Sequence, residues 1–312
     1  MTGSTGFVGK HIYATLIRHG FEVTCGTRHP DEAAKDDPVR QFCKFDLDAP
    51  ASVADALSRV DRAIYLAHSM GDDGDFLEIE RRHAETFRDA AATKGLERIV
   101  YLGGMRPSGS LSRHLESRLM TGEILRHGAV PTIELRATMI IGGGSESFRI
   151  VRDLAARLPW MLLPKWLESK TQPVAIADIG EAIAHALEMP IEGSAVYAAP
   201  GPETLSGREI LLRTAELLGQ KPKVISVPFV TPRLSSYWIR LVTRANPHLA
   251  RELVEGLRSD IVSQGNDIWS SMPELERTPF DQAVKLALQE EETSVGSSMR
   301  LVERALHGLA RE

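Results

Sequence analysis

The chain has 312 residues, 43% of them hydrophobic and 25% charged, with a formal net charge of −5. This balance suits a soluble globular protein of one large domain, or a large domain with a smaller one, and it gives no electrostatic footprint for nucleic acid or an anionic membrane surface. No apolar run approaches the ~20 residues of a membrane-spanning helix, and no signal-peptide pattern opens the chain. The two cysteines, Cys25 and Cys43, fall on candidate neighbouring strands and are expected as free thiols of a cytoplasmic protein, not as a structural disulfide.

The first informative stretch is TGSTGFVG, Thr2 to Gly9, with glycines at Gly3, Gly6 and Gly9 and the helical pattern GKHIYATLIRHG directly behind it. A βα turn that binds pyrophosphate needs this spacing. One glycine makes the tight turn, one lets phosphate approach the backbone, and one lets the helix pack close to the sheet. Gly3, Thr5, Gly6, Phe7, Val8 and Gly9 are therefore candidate cofactor-binding residues, with the first helical N–H groups and the helix dipole facing the phosphates. Such a turn follows an apolar central strand, yet only Met1 precedes Thr2. The pattern predicts a first strand missing from the given chain and a natural start a few residues upstream.

Residues 21–27 (FEVTCGT) read as a buried strand, and QFCKFDLDA as the next, ending at Asp46. A short helix follows over 51–57, then a strand over 62–69 (RAIYLAHS) and a helix over 76–94 closed by Gly95. A strand over 97–104 (ERIVYLGG), a helix over 112–127 and a strand over 131–142 (PTIELRATMIIG) come next. Strands alternating with helices predict an α/β protein with a Rossmann-type doubly wound parallel sheet and right-handed crossovers.

Beyond residue 142 the pattern changes. A helix over 148–157 leads into a Pro- and Trp-rich loop, LPWMLLPKWLESKTQPV. AIADIGEAIAHALEM reads as a helix, AVYAAP as a short strand, and LSGREILLRTAELLG as a helix capped by Ser206. After KVISVP helices predominate, among them VTPRLSSYWIRLVTR, FDQAVKLALQEE and a charged amphipathic helix over 290–312. The chain thus divides into a dinucleotide-binding core, residues 1–142, and a C-terminal part, 143–312. The second part is expected to complete the sheet and to form a smaller, mostly helical substrate-side region of the same compact unit, against the carboxyl ends of the strands.

Arg28 stands about 20 residues after the glycine turn, where the ribose of the adenosine half lies in such folds. An acidic residue there would accept from the 2′-hydroxyl and repel a 2′-phosphate, so Arg28 favours NADP, with NAD possible; a solvated surface arginine is the alternative. Asp46 and Leu47 are placed to receive the adenine, against an ordinary strand-end aspartate. Ala67 and His68 are placed to line the nicotinamide ribose, against a satisfied core histidine. Arg136 ends the strand over 131–142 on the cleft side and is a candidate for orienting a substrate. A pair with Glu134 is not expected, because alternate strand residues share a face without pairing directly. Trp160, Trp166 and Trp238 read as packing, and no Cys/His cluster has zinc spacing, so no metal is expected.

TGSTGFVG, IYLAHSM, RIVYLGGM, SRHLESRL and ELRATMIIGGGS together resemble the atypical, extended-type short-chain dehydrogenase/reductase superfamily. Within it they are similar to the bacterial NAD(P)-binding, epimerase-like subgroup often fused to a C-terminal DUF2867 domain, for which these 312 residues leave no room. Typical members carry a serine or threonine after the strand that corresponds to 97–104 and a Tyr-x-x-x-Lys on the next helix. Here Gly103 and Gly104 end that strand, and the helix offers His114 and Arg118 at the same i, i+4 spacing. The resemblance makes these two the candidate catalytic residues. A neutral imidazole donates one hydrogen bond or acts as a base but is a poor proton donor to an alkoxide, and Arg118 is expected to grip the ribose hydroxyls. A solvated pair on a helix face is the alternative. The expected activity is that of an NADP(H)-binding oxidoreductase acting on a small molecule; a non-catalytic NAD(P)-binding redox sensor and a sugar-nucleotide-epimerase-like enzyme are the other readings.

Overall fold

Apolar runs of four to seven residues, each separated from the next by a helix, pair side by side here because only a crossover connection can make neighbouring strands parallel. The computed structural model describes residues 1–68, 76–109, 111–157, 160–227 and 259–293. In chain order the first half comprises α1 (Phe7–Arg18), β1 (Thr24–Thr27), α2 (Pro30–Asp36), β2 (Gln41–Lys44), α3 (Pro50–Leu57), β3 (Arg62–Tyr65), α4 (Phe76–Lys94), β4 (Arg98–Gly104), α5 (Arg113–Arg126) and β5 (Thr132–Ala137). The second half comprises β6 (Ile140–Ile141), α6 (Glu146–Arg157), β7 (Trp160–Pro164), β8 (Lys170–Thr171), β9 (Val174–Ala175), α7 (Ile176–Glu188), β10 (Ala195–Ala198), β11 (Leu205–Ser206), α8 (Gly207–Leu217), β12 (Lys223–Val227) and α9 (280–293).

The main sheet runs β10-β5-β4-β3, all parallel, and β1 pairs with β2 in a second parallel piece. Met1 and Thr2 alone stand in the gap where the expected central strand belongs. The Met1 ammonium donates to the Thr24 carbonyl (2.7 Å), Gly26 N–H donates to the Met1 carbonyl (2.8 Å), and Thr2 N–H donates to the Ile64 carbonyl (2.9 Å). The two pieces thereby line up as β2-β1-(residues 1–2)-β3-β4-β5-β10, an α/β sheet of Rossmann type.

Both faces of this sheet are covered, as a parallel sheet requires. On β4 the side chains alternate: Val100 and Leu102 pack with Ile12 and Leu16 of α1 and Ile179 and Ile183 of α7, whereas Ile99 and Tyr101 pack with Phe87 of α4 and Leu125 of α5. A separate cluster, including Phe148, Met161, Leu163, Ile210 and Phe280, holds α6, α8 and α9 together. β10, from the C-terminal part, pairs with β5 as the last strand of the sheet. Its outer edge is covered at Ala198, whose N–H donates to Asn266 O at 3.0 Å.

Several expectations need correction. The Pro- and Trp-rich segment is not a loop throughout: β7 lies in it and pairs in parallel with β12, and a 3-10 turn over Lys165–Glu168 follows. Its partner lies some 60 residues away along the chain, so no local pattern announces it. The strand expected over 131–142 is two strands, because the chain leaves the main sheet at Thr138 and Met139 so that β6 pairs with β9. The strands expected over 21–27 and 62–69 shorten to β1 and β3. β1 ends with its four-residue partner β2, and after Tyr65 the chain turns to Thr2, whose Oγ1 accepts from Leu66 and Ala67 N–H, with residue 69 outside the described residues. α2, with Pro30 at its first turn, was not anticipated. The helix expected over 230–244, with the packing role of Trp238, and most of the helix expected over 290–312 lie outside the described residues.

Glu134 and Arg136 do pair. The fully buried Glu134 carboxylate accepts from Arg136 Nε at 2.7 Å and from Arg126 Nε of α5 at 2.8 Å. Residues two apart on a strand share a face, and an arginine stem is long enough to fold back along it. Gly122 of α5 makes the space, since a Cβ there would sit 2.5 Å from the carboxylate.

Candidate functional site

The glycine turn has the geometry a phosphate cradle needs. Gly3 has φ +58°, and Gly6 N–H donates to Gly3 O at 3.0 Å, which closes the turn. A Cβ on Gly9 would stand 2.5 Å from Gly3 O and 2.7 Å from Ser4 Cα, both backbone, so α1 approaches the turn too closely for any side chain. Thr5 and Gly6 are exposed. No side chain caps the N-terminus of α1 at Gly6, and no acidic residue lies in its first turn. The first N–H groups, at Phe7, Val8 and Gly9, lack intrahelical partners. This donor set fits a pyrophosphate.

Two hydroxyls that the sequence reading passed over fasten the turn to the sheet. Thr2 Oγ1 accepts from Leu66 N–H (2.9 Å) and Ala67 N–H (3.1 Å), and Ser4 Oγ donates to Gly26 O (3.0 Å). The first bond pair places Ala67 and His68, at the carboxyl end of β3, beside the turn. Both hydroxyls belong to the glycine motif itself, but their partners lie 22 and 64 positions away, beyond any local signal.

On the adenosine side, Arg28 is exposed at the carboxyl end of β1, and Lys44 Nζ at the end of β2 donates to its carbonyl at 2.7 Å. The expected cation therefore has a second one beside it. Arg40, also unforeseen, lies over the Tyr13 ring at 4.5 Å, donates to Lys10 O at 3.0 Å and pairs with Asp37 at 2.8 Å, bracing α1 against the loop before β2. Asp46 and the half-buried Leu47 follow β2, with Asp46 Oδ1 accepting from Asp48 N–H at 3.2 Å.

On the opposite side of the turn the fold brings His68, His114 and Arg118 together. The two imidazoles stand edge to face, 5.8 Å between centroids. Burial, then the nearby Arg118 charge, lowers the His114 pKa to about 3, with His68 adding to the effect. His68 is exposed to solvent, although protein packs closely about it. Loss of hydration and then Arg118 bring its pKa to about 4, against a hydrogen bond from the ring to the Leu66 carbonyl, which favours the cation. Both rings are therefore neutral at physiological pH.

Arg118 spends part of its donor set on the sheet, with Nη2 donating to Leu102 O at 2.8 Å, while its own carbonyl accepts from Tyr101 Oη at 2.9 Å. The diglycine that ends β4 allows this. A Cβ on Gly104 would lie 2.5 Å from Leu115 Cδ1, so a serine at that place would need the Leu115 side chain to move aside. Ser112 instead caps α5, accepting from Leu115 N–H at 3.3 Å. Arg136 is tied to Glu134, as described above. Among the described residues no group of three His, Cys, Asp or Glu side chains could hold a metal ion, and no helix is long and apolar enough to cross a membrane.

Comparison with known proteins agrees with this geometry. Residues 3–130 match the NAD(P)H-binding family. The chain is 24% identical over 275 residues to the mitochondrial NADH dehydrogenase [ubiquinone] 1 alpha subcomplex subunit 9 of Dictyostelium discoideum, covering 84% of this chain and 75% of that protein. It is 26% identical over 243 residues to ceramide reductase of Caulobacter vibrioides, covering 73% of each. Its fold is similar to that of Citrobacter sp. triphenylmethane reductase complexed with NADP(H), with a TM-score of 0.71, 17% identity, and coverage of 92% of this chain and 98% of that one. Residues 3–130 thus carry the NAD(P)H-binding match, and an uncapped glycine turn stands at the head of a doubly wound sheet of the Rossmann fold.

Proposed function

We propose that the chain binds NADP(H) in preference to NAD(H) and is an oxidoreductase acting on a small molecule at the carboxyl ends of β3 and β4. The observation that carries this reading is the placement of two neutral imidazoles, His68 and His114, 5.8 Å apart beside Arg118 at the mouth of the sheet. Perturbed titratable groups gathered in a cleft next to a cofactor turn are the mark of a reaction site. Two cations, Arg28 and Lys44, at the ends of β1 and β2 support the 2′-phosphate.

The glycine turn and α1 would hold the pyrophosphate, Arg28 the 2′-phosphate, Asp46 and Leu47 the adenine, and Ala67 and His68 the nicotinamide ribose. NADP(H), when bound, supplies the hydride chemistry. His114 supplies a neutral N–H, which polarises a substrate oxygen by donating a hydrogen bond and needs no imidazolium to do so. Burial, and then the Arg118 charge, keep that ring neutral, and Arg118 ties α5 to the strand end through Leu102 O.

The test is a calorimetric titration with NADP⁺, NADPH, NAD⁺ and NADH, followed by a hydride-transfer screen of carbonyl and alcohol substrates. Preference for both phosphorylated forms, with turnover lost in His114→Ala while cofactor affinity stays, is the expected result. Turnover unchanged in that variant removes His114 from the reaction. A second reading, cofactor binding without turnover, is favoured by the similarity to a subunit of NADH dehydrogenase and by HLESR standing where Tyr-x-x-x-Lys is usual. Marked discrimination between NADP⁺ and NADPH without any substrate-dependent transfer would establish that one instead.

A further inference from the structure

α4 is joined to the loop after β2 by side chains that neither the turn nor the imidazole pair uses. His83 lies on the inner face of α4 with 8% of its side chain exposed, and its Nε2 is 3.0 Å from Asp48 Oδ1. Arg82 Nη2 donates to the same oxygen at 2.7 Å. The His83 bond, then the Arg82 bond, against a small cost of burial, holds the Asp48 carboxyl below its ordinary range. An ionised carboxylate only accepts, so Nε2 of His83 carries a proton.

From Asp48 the connection continues inward. Its N–H donates to Asp46 Oδ1 at 3.2 Å, while Asp46 N–H donates to Ser52 Oγ at 3.0 Å. With Oδ1 committed to Asp48, Asp46 Oδ2 is the oxygen left for an exocyclic amino group. The rotamer of Asp46 thus depends on where Asp48 stands, and Asp48 is anchored by a nearly buried imidazole on a 19-residue helix.

We propose that His83 is a positioning residue of the adenine subsite: through Asp48 it fixes Asp46, and with it the selectivity for a purine that bears a 6-amino group. The proposal rests on the reading of Asp46 and Leu47 as the adenine contacts. No substrate chemistry passes through His83; it acts only by orienting the acceptor.

The experiment compares dissociation constants for NADP⁺ and its hypoxanthine analogue, in which a 6-oxo acceptor replaces the 6-amino donor and faces the carboxylate. Wild type is expected to favour NADP⁺ by about tenfold or more, the size of one hydrogen bond to an ionised acceptor. In His83→Ala the ratio should fall to within about twofold, and His83→Gln, whose amide N–H reaches toward Asp48, should restore part of it. Asp48→Ala cuts the same link at a residue whose side chain is 59% exposed, so it serves should the buried site tolerate no change. A merely structural loosening raises both constants alike and leaves their ratio intact. Full discrimination retained in both alanine variants overturns the role of His83 and leaves Asp46 as the adenine contact. Equal affinity of wild type for the two cofactors overturns both, beginning with Asp46.

Discussion

Acidification from pH 6.5 to 5 should destabilise this protein through His114, and the size of the effect follows from its surroundings. In the unfolded chain an imidazole titrates near ~6.5, whereas His114 in the fold titrates at about 3. Across that window the unfolded state takes up the proton and the folded state does not, so stability falls as pH falls. Integrating the linkage for this one group gives a loss of roughly 1.7 kcal/mol between pH 6.5 and 5. His68 acts in the same direction, but it is exposed, so solvent screens it and its share is smaller. The assay is urea unfolding at several pH values in wild type and His114→Gln, in which every other titrating group cancels. Wild type should lose about 1.7 kcal/mol more than the variant. The carboxyls of Asp48, Glu203 and Glu209, all held below their ordinary range, titrate beneath this window. Parallel pH dependences in the two proteins, or a His114 ring nitrogen whose chemical shift inflects near ~6.5, would refute the reasoning.

Three further outcomes follow from the charges and close contacts described above. Arg28→Ala should weaken NADP⁺ binding by about 10- to 100-fold, the range of a charge-assisted hydrogen bond, and leave NAD⁺ within about twofold; an equal loss for both in calorimetry would place Arg28 away from the phosphate. Gly9→Ala sets a Cβ 2.5 Å from Gly3 O, so thermal unfolding should show a loss of about 1–3 kcal/mol together with lost cofactor affinity, and an unchanged melting curve would contradict the close packing. Glu134→Leu leaves Arg126 and Arg136 without their buried acceptor and should cost about 3–5 kcal/mol in urea unfolding; a neutral result would mean that the two guanidinium groups find solvent unaided.

What could be read in advance was whatever is encoded within a few residues. Ser112 before α5, the Ser206 and Glu209 capping box of α8 and Gly95 at φ +71° after α4 are all local signals, and each marks a helix end where expected. The i, i+4 spacing of His114 and Arg118 likewise put both beside one another, and His68 joined them because a doubly wound sheet brings the ends of neighbouring strands together. The misses are of the opposite kind. β7 and β12 meet only in three dimensions, His83 finds Asp48 across 35 positions, and Thr2 reaches Leu66 across 64. The Glu134 and Arg136 pair is a different case: face-sharing follows from the two-residue period of a strand, whereas the reach of the arginine stem does not.

The fastening of the glycine turn has a mechanical consequence. Thr2 Oγ1 accepts from Leu66 and Ala67 N–H, and Ser4 Oγ donates to Gly26 O, so the turn is tied to the end of β3 and to β1 at once. Arg28 and Asp46 stand on one side of the turn, and His68 and His114 on the other. A dinucleotide laid across it would meet contacts whose spacing is set before it arrives, so little of its binding energy would go into ordering the protein.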